Sequence, residues 1–232
     1  MKTFADHVVQ FNCSLEFKGK LPAGIQIMNP FKEPATAAIM KQFYKKFYDD
    51  THTRRLIIGI NPGRLGAGVT GVPFSDTKRL AEECGIVVQG FKTHEPSSVF
   101  MYDMIHAYGG VQAFYNDFYI SAVCPLGFTA DNGRDKVVNY NYYDSKALTN
   151  AVYSLIVSSL QRQLDFGLLS TQVCYCLGTG KNAAFFQELN EKERFFEKIV
   201  PLEHPRFVMQ YRAKTKQAYI DKYLEAFEAY ST

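Results

Sequence analysis

Residues 55–74 read Arg55-Leu56-Ile57-Ile58-Gly59-Ile60-Asn61-Pro62-Gly63-Arg64-Leu65-Gly66-Ala67-Gly68-Val69-Thr70-Gly71-Val72-Pro73-Phe74. The apolar run Arg55–Ile60, stopped by Asn-Pro-Gly, has the length and composition of a strand buried on both faces. Residues 59–74 hold five glycines and two prolines, a composition suited to dihedrals that other residues resist. Such a loop brings backbone N–H groups close to an anion or a base edge. It also reads as a long strand-to-helix turn. Its glycine spacing is not that of a dinucleotide-binding fingerprint.

Three further runs share this pattern: Phe118–Val123, Gln172–Leu177 and Lys198–Leu202, each bounded by Gly, Pro, Asn or Asp. Amphipathic stretches lie before, between and after them, at 38–47, 77–84, 99–108, 146–164, 182–196 and 214–230. Alternation of buried strand and helix predicts one α/β domain over residues 1–232, a three-layer αβα sandwich around a mainly parallel four-stranded sheet. Ligands of such sheets bind beyond the carboxyl ends of the strands. Those ends run into Asn61-Pro62-Gly63, Cys124-Pro125-Leu126, Gly178-Thr179-Gly180-Lys181 and His204-Pro205-Arg206, so all four are expected on one edge.

Composition narrows the class. With 47% hydrophobic and 21% charged residues, the 232-residue chain can bury a proper core. Trp is absent, while 19 Phe and 15 Tyr provide core volume and some material for stacking on a nucleobase. A net charge of +3 does not by itself indicate nucleic acid. Its distribution says more: Arg206, Arg212, Lys214 and Lys216 fall between Pro205 and Ile220 with no acidic residue among them. Cations at a helix start oppose its dipole, a cost that nearby phosphates would explain. Cys13, Cys84, Cys124, Cys174 and Cys176 match no zinc or iron–sulfur spacing, and no metal or cofactor is expected. Without a signal-peptide pattern or a run long enough to span a bilayer, a cytoplasmic protein with no membrane partner is expected.

Two strand ends invite chemical readings. Gly178-Thr179-Gly180-Lys181 is not a Walker loop, because Tyr175 and Asn182 stand where Gly and Ser or Thr are required. Gly178, Gly180 and Lys181 can still hold one phosphate at a helix start, with a DNA backbone as the candidate ligand. Of the five histidines, His204 is singled out by its place at a strand end. A neutral imidazole there can donate to an oxygen gaining negative charge. His106 falls within a helix, as a core or surface residue.

These motifs carry a resemblance. Gly59-Ile60-Asn61-Pro62-Gly63 followed by Thr70-Gly71-Val72-Pro73-Phe74 resembles the first motif of the SMUG family of uracil-DNA glycosylases, with the same interval from Asn to Phe. Cys124-Pro125-Leu126, Leu177-Gly178-Thr179-Gly180-Lys181 and His204-Pro205 resemble its later motifs in the right order, and Met28-Asn29-Pro30-Phe31 resembles an N-terminal Asn-Pro segment. The resemblance implies a monomeric, monofunctional glycosylase that hydrolyses the N-glycosidic bond of a deaminated base flipped out of single- or double-stranded DNA. It implies that Asn61 orients the water, His204 donates to the leaving base, and Phe74 and Gly63 contact the base. Arg206, Phe207, Met209, Arg212 and Lys214 would fill the vacated stack and grip phosphates.

There are two departures. The family's Asn that reads the uracil edge, two residues before the Cys of Cys-Pro-Leu, is Ala122 here. A methyl group cannot pair with a base, so a range beyond uracil, extending to hypoxanthine and xanthine, is expected. Asn139 and Asn141 can replace the missing amide, although they also read as a polar loop before the helix at Lys146. After His-Pro, the run Arg206–Arg212 replaces the family's Pro- and Asn-rich segment, so its wedge chemistry is expected to differ. Two alternatives stand beside the glycosylase: a catalytically degenerate DNA-binding protein of the same fold, and a small-molecule α/β hydrolase. The second lacks the Gly-x-Ser-x-Gly elbow it would need.

Overall fold

The computed structural model describes residues 1–131, 133 and 136–230. Its strands are β1 (Ile25–Met28), β2 (Arg54–Gly59), β3 (Phe118–Ala122), β4 (Gly127–Asp131), β5 (Val137–Tyr140), β6 (Leu169–Leu177) and β7 (Lys198–Leu202). The helices are α1 (Phe4–Cys13), α2 (Pro34–Phe47), α3 (Ala67–Thr70), α4 (Thr77–Glu82), α5 (Pro96–Tyr108), α6 (Val111–Asp117), α7 (Lys146–Leu164), α8 (Lys181–Glu193), α9 (Pro205–Tyr211) and α10 (Lys216–Glu228). Helices α2, α5 and α9 each begin with Pro, which costs nothing where the N–H has no helical partner.

The four expected strands form one sheet in the order β3-β2-β6-β7, and every pairing is parallel. All four carboxyl ends therefore lie on one edge. Alternation along β3 separates the layers. Tyr119 packs against Phe4 of α1 and Tyr44 of α2, and Ser121 donates to Gln163 of α7 at 2.7 Å. Phe118 instead meets Phe227 of α10 and Tyr108 of α5. Most of the aromatic excess is spent here, as buried rings on both faces of the sheet.

The amino edge of the sheet is locked by Arg54, whose guanidinium is fully buried. It makes a bidentate pair with Asp50 at 2.7 and 2.8 Å and donates to Tyr115 O at 2.8 Å. A second sheet, antiparallel with order β1-β4-β5, was not anticipated. It places Asn139 on a strand, paired with Thr129, rather than in the polar loop that was the plainer reading. Among the described residues no helix is long and apolar enough to cross a membrane, no acidic, His and Cys cluster could hold a metal, and all five cysteines are free thiols.

Candidate active site

A cleft of about 590 Å³ opens at the carboxyl edge of the parallel sheet, and Asn61, Gly63, Phe74, Ala122, Asn139, Asn141, His204, Arg206 and Phe207 all line it. Residues from three of the four strand ends thus converge.

Asn61 stands two residues beyond β2. Its Oδ1 accepts the backbone N–H of Tyr142 at 3.1 Å, which fixes the amide's orientation because that partner can only donate. Nδ2 lies 3.4 Å from both Pro62 O and Tyr140 O. The segment leaving the small sheet therefore holds Asn61 in place. Among the described residues no other group donates to Oδ1, which leaves one of its lone pairs open.

Phe74 has φ +53°, a left-handed conformation that costs a bulky side chain about 1–3 kcal/mol. The turn that enforces it is tied by the buried Thr70 hydroxyl, which donates to Ser75 O at 2.8 Å and accepts from Val72 N–H at 3.3 Å. The result is an aromatic ring over Gly59, with its centroid 5.6 Å from that of His204.

His204 is the N-cap of α9, and its Nδ1 accepts the backbone N–H of Arg206 at 3.1 Å. Burial, with the nearby Arg206 charge adding to it, lowers its pKa to about 4. The imidazole is thus neutral at pH 7, and Nδ1 carries no proton. Nε2 must carry it, and among the described residues Nε2–H has no acceptor.

Ala122 ends β3 opposite Gly59. A separate small cavity of about 40 Å³ shares Ala122 with the cleft and is lined also by Phe31, Tyr119 and Pro125. Asn139 accepts the Arg64 N–H on Oδ1 at 3.0 Å, and among the described residues its Nδ2 has no acceptor. A Cβ on Gly63 would lie 3.5 Å from this Nδ2, so any longer side chain at 63 would cover the donor. Asn141 donates its backbone N–H to Asp144 at 2.7 Å, and its Nδ2 lies 3.5 Å from Asp144 Oδ1.

The remaining sequence candidates divide. Phe207 is 40% exposed on α9, with the 59% exposed Tyr211 one turn on and 5.6 Å away between ring centroids. Arg212 sits over the Phe207 ring at 5.8 Å. Met209 packs partly buried against the core and does not line the cleft, and neither does Lys214, exposed in the turn before α10. Lys216, grouped with them by charge, pairs with Asp103 of α5. Gly178 (φ +115°), Gly180 and Lys181 form the start of α8, outside the cleft. Sequence reasoning missed Glu95, Ser97, Ser121, Tyr143, Gln210 and Tyr211, which also line the cleft. Only Tyr211 was signalled, by its four-residue spacing from Phe207.

A family model described as Uracil DNA glycosylase superfamily matches residues 45–228. No curated protein matches the chain. Among solved structures, wild-type SMUG2 of Pedobacter heparinus is 55% identical, with a TM-score of 0.96 over 99% of this chain and 98% of that one. The chain belongs to the uracil DNA glycosylase superfamily and is a monofunctional uracil-DNA glycosylase of the DNA-repair type.

Proposed function

We propose that this glycosylase recognises deaminated bases as a class, uracil together with hypoxanthine and xanthine, by offering hydrogen-bond donors where the parent bases carry an amino group. The observation that carries this reading is a pair of donors in the cleft that have no acceptor among the described residues, Nε2–H of His204 and Nδ2–H of Asn139. Deamination replaces an exocyclic amino group by a carbonyl oxygen. A donor pairs with that oxygen but meets an N–H of the parent base head-on, which leaves buried polar groups unpaired. Ala122 imposes no edge pattern of its own, and its methyl group fills less of the cleft wall than an amide would.

The reaction follows from the same geometry. The flipped base stacks on Phe74. As the C1′–N bond breaks, the electron pair moves onto the base, and Nε2–H of His204 stabilises the developing oxyanion. Water held by Oδ1 of Asn61 adds to C1′, and its proton ends on the departing base. An amide is too weak a base to deprotonate water, so Asn61 positions the nucleophile and leaving-group stabilisation supplies most of the acceleration.

Phe207 and Tyr211 provide the stacking surface for neighbouring bases, while Arg206, Arg212, Lys214 and the Gly178–Lys181 turn follow the phosphates of a monomer's bound strand. The test is excision from oligonucleotides bearing each of the three lesions, by wild type, Asn139→Ala and Ala122→Asn. Wild type is expected to release all three, Asn139→Ala to lose about tenfold or more on each, and Ala122→Asn to favour uracil. A wild type that releases uracil alone, with selectivity unmoved by Ala122→Asn, contradicts the class reading.

A further inference from the structure

Two buried side-chain oxygens have no hydrogen-bond partner among the described residues, Oε2 of Glu95 and Oγ of Ser159, and of these two residues only Glu95 lines the cleft. The backbone of Glu95 is firmly placed: its N–H donates to Asp76 Oδ2 at 3.1 Å and its carbonyl accepts Ser98 N–H at 2.9 Å. The neighbouring carboxylate is satisfied, since Asp76 also accepts Arg79 N–H and the Ser98 hydroxyl, each at 2.9 Å. The Glu95 carboxyl instead presses on the 59–74 loop, where a Cβ on Gly66 would lie 2.1 Å from Oε2. A side chain at position 66 would make the carboxyl shift. A buried oxygen left unpaired in a binding cleft waits for a ligand.

The surroundings say which ligand. Glu95 stands at the N-terminus of the 13-residue α5, where the helix dipole favours negative charge. Exposed Arg206 lies close enough to act on it electrostatically. The reacting base is already served by Asn61, Phe74 and His204. An anion between a cation and a helix N-terminus fits a backbone phosphate, provided that the carboxyl is neutral.

Resting on the assignment of the cleft to DNA, we propose that Glu95 is a proton-carrying DNA contact: its neutral carboxyl donates its O–H to a phosphate oxygen of the strand held between the Gly66 loop and Arg206, so that binding DNA takes up a proton. Burial raises this carboxyl's pKa to about 7, with Asp76 adding to the rise and Arg206 opposing it. A bound phosphate raises it further, so affinity falls as pH climbs above 7, by up to about tenfold per pH unit. The charged groups facing this corner are Asp76, which caps α4, Arg79 of α4, His94 in the turn before α5 and Arg206 of α9. Exposed His94 has Nδ1 3.6 Å from Asp76 Oδ2 and must be controlled for.

The experiment measures binding of a single-stranded oligonucleotide with a tetrahydrofuran abasic analogue from pH 6 to 8.5 at fixed salt. Wild type is expected to weaken about tenfold or more across this range. Glu95→Gln, which keeps a donor without titrating, should be flat and tight. Glu95→Ala should be flat and weaker at pH 6, and His94→Gln should keep the wild-type slope. Calorimetry of the wild type at pH 7.5, in two buffers of different ionisation enthalpy, should show proton uptake on binding whether or not the variants fold. A wild-type slope surviving in Glu95→Gln, or no proton uptake, overturns the proposal. So does a loss of about 10²-fold in saturated excision by Glu95→Gln with its pH slope intact, which would make Glu95 a general base. If wild type excises uracil while binding DNA independently of pH, only this proposal fails. If it neither binds nor excises at any pH, the assignment of the cleft fails.

Discussion

Nδ1 of His204 accepts the backbone N–H of Arg206, two residues along the chain, at 3.1 Å. This one bond makes the residue both the cap of α9 and a donor of fixed polarity, because capping through Nδ1 leaves the single proton of a neutral imidazole on Nε2. The proposed catalytic group and the helix proposed to face DNA are therefore one structural unit.

The titration of His204 has a definite sign. Its folded pKa lies near 4, below the unfolded value of 6.5, so below pH 6.5 the unfolded chain binds a proton that the native state refuses. Stability contributed by this residue is full above pH 6.5 and is lost as pH falls toward 4. Thermal melts of wild type and His204→Gln from pH 4 to 7 should show a shallower acid-side decline in the variant. Parallel declines would mean that His204 is not held neutral.

Asn61→Ala removes the proposed acceptor for the water and also the acceptor of the Tyr142 N–H. Excision should fall by about 10²-fold or more. Stability should drop by about 1–2 kcal/mol, because a backbone donor loses its partner. Single-turnover kinetics and thermal unfolding read the two effects separately, and a variant that lost stability alone would place Asn61 in the scaffold only.

Charge reversal at Arg206 or Arg212 should weaken oligonucleotide binding and flatten its dependence on salt, since fewer counterions are released. Lys216→Glu provides a contrast. Its partner is Asp103, so its main effect should be on the melting temperature, through like-charge repulsion between α5 and α10. Unchanged salt slopes in both arginine variants would mean that α9 faces solvent and not DNA.

Phe207→Ala and Tyr211→Ala should each weaken binding of single-stranded DNA by about 1–3 kcal/mol, the range for a base–aromatic stack. Met209→Ala should act mainly on stability, since that side chain packs into the core. Titrations with a fluorescent single strand distinguish the two kinds of effect. Loss of binding in Met209→Ala with Phe207→Ala unaffected would reverse the assignment.

Much of this was legible in the chain because the four buried strands are short apolar runs ended by Asn-Pro-Gly, Cys-Pro, Gly-Thr-Gly and His-Pro. Once those runs are parallel, Asn61, Ala122 and His204 must meet at one edge. The small sheet was not legible. Its strands are four or five residues long and partly exposed, and β1 finds its partner about a hundred residues away, Ile25 opposite Ala130. No local pattern encodes such a pairing, yet the segment leaving that sheet orients Asn61 and its last strand carries Asn139. Glu95 was hidden for a similar reason: its burial depends on contact with Gly66, a relationship of the folded chain and not of neighbouring residues.

The most direct measurement is the single-turnover rate of uracil release from a single-stranded oligonucleotide by wild type and His204→Ala, at pH 7 and saturating enzyme. If Nε2–H of His204 stabilises the departing base, wild type releases uracil to leave an alkali-labile abasic site, and the variant does so at least about 10²-fold more slowly while still binding the strand. A His204→Ala enzyme that releases uracil at the wild-type rate would contradict the account at its centre.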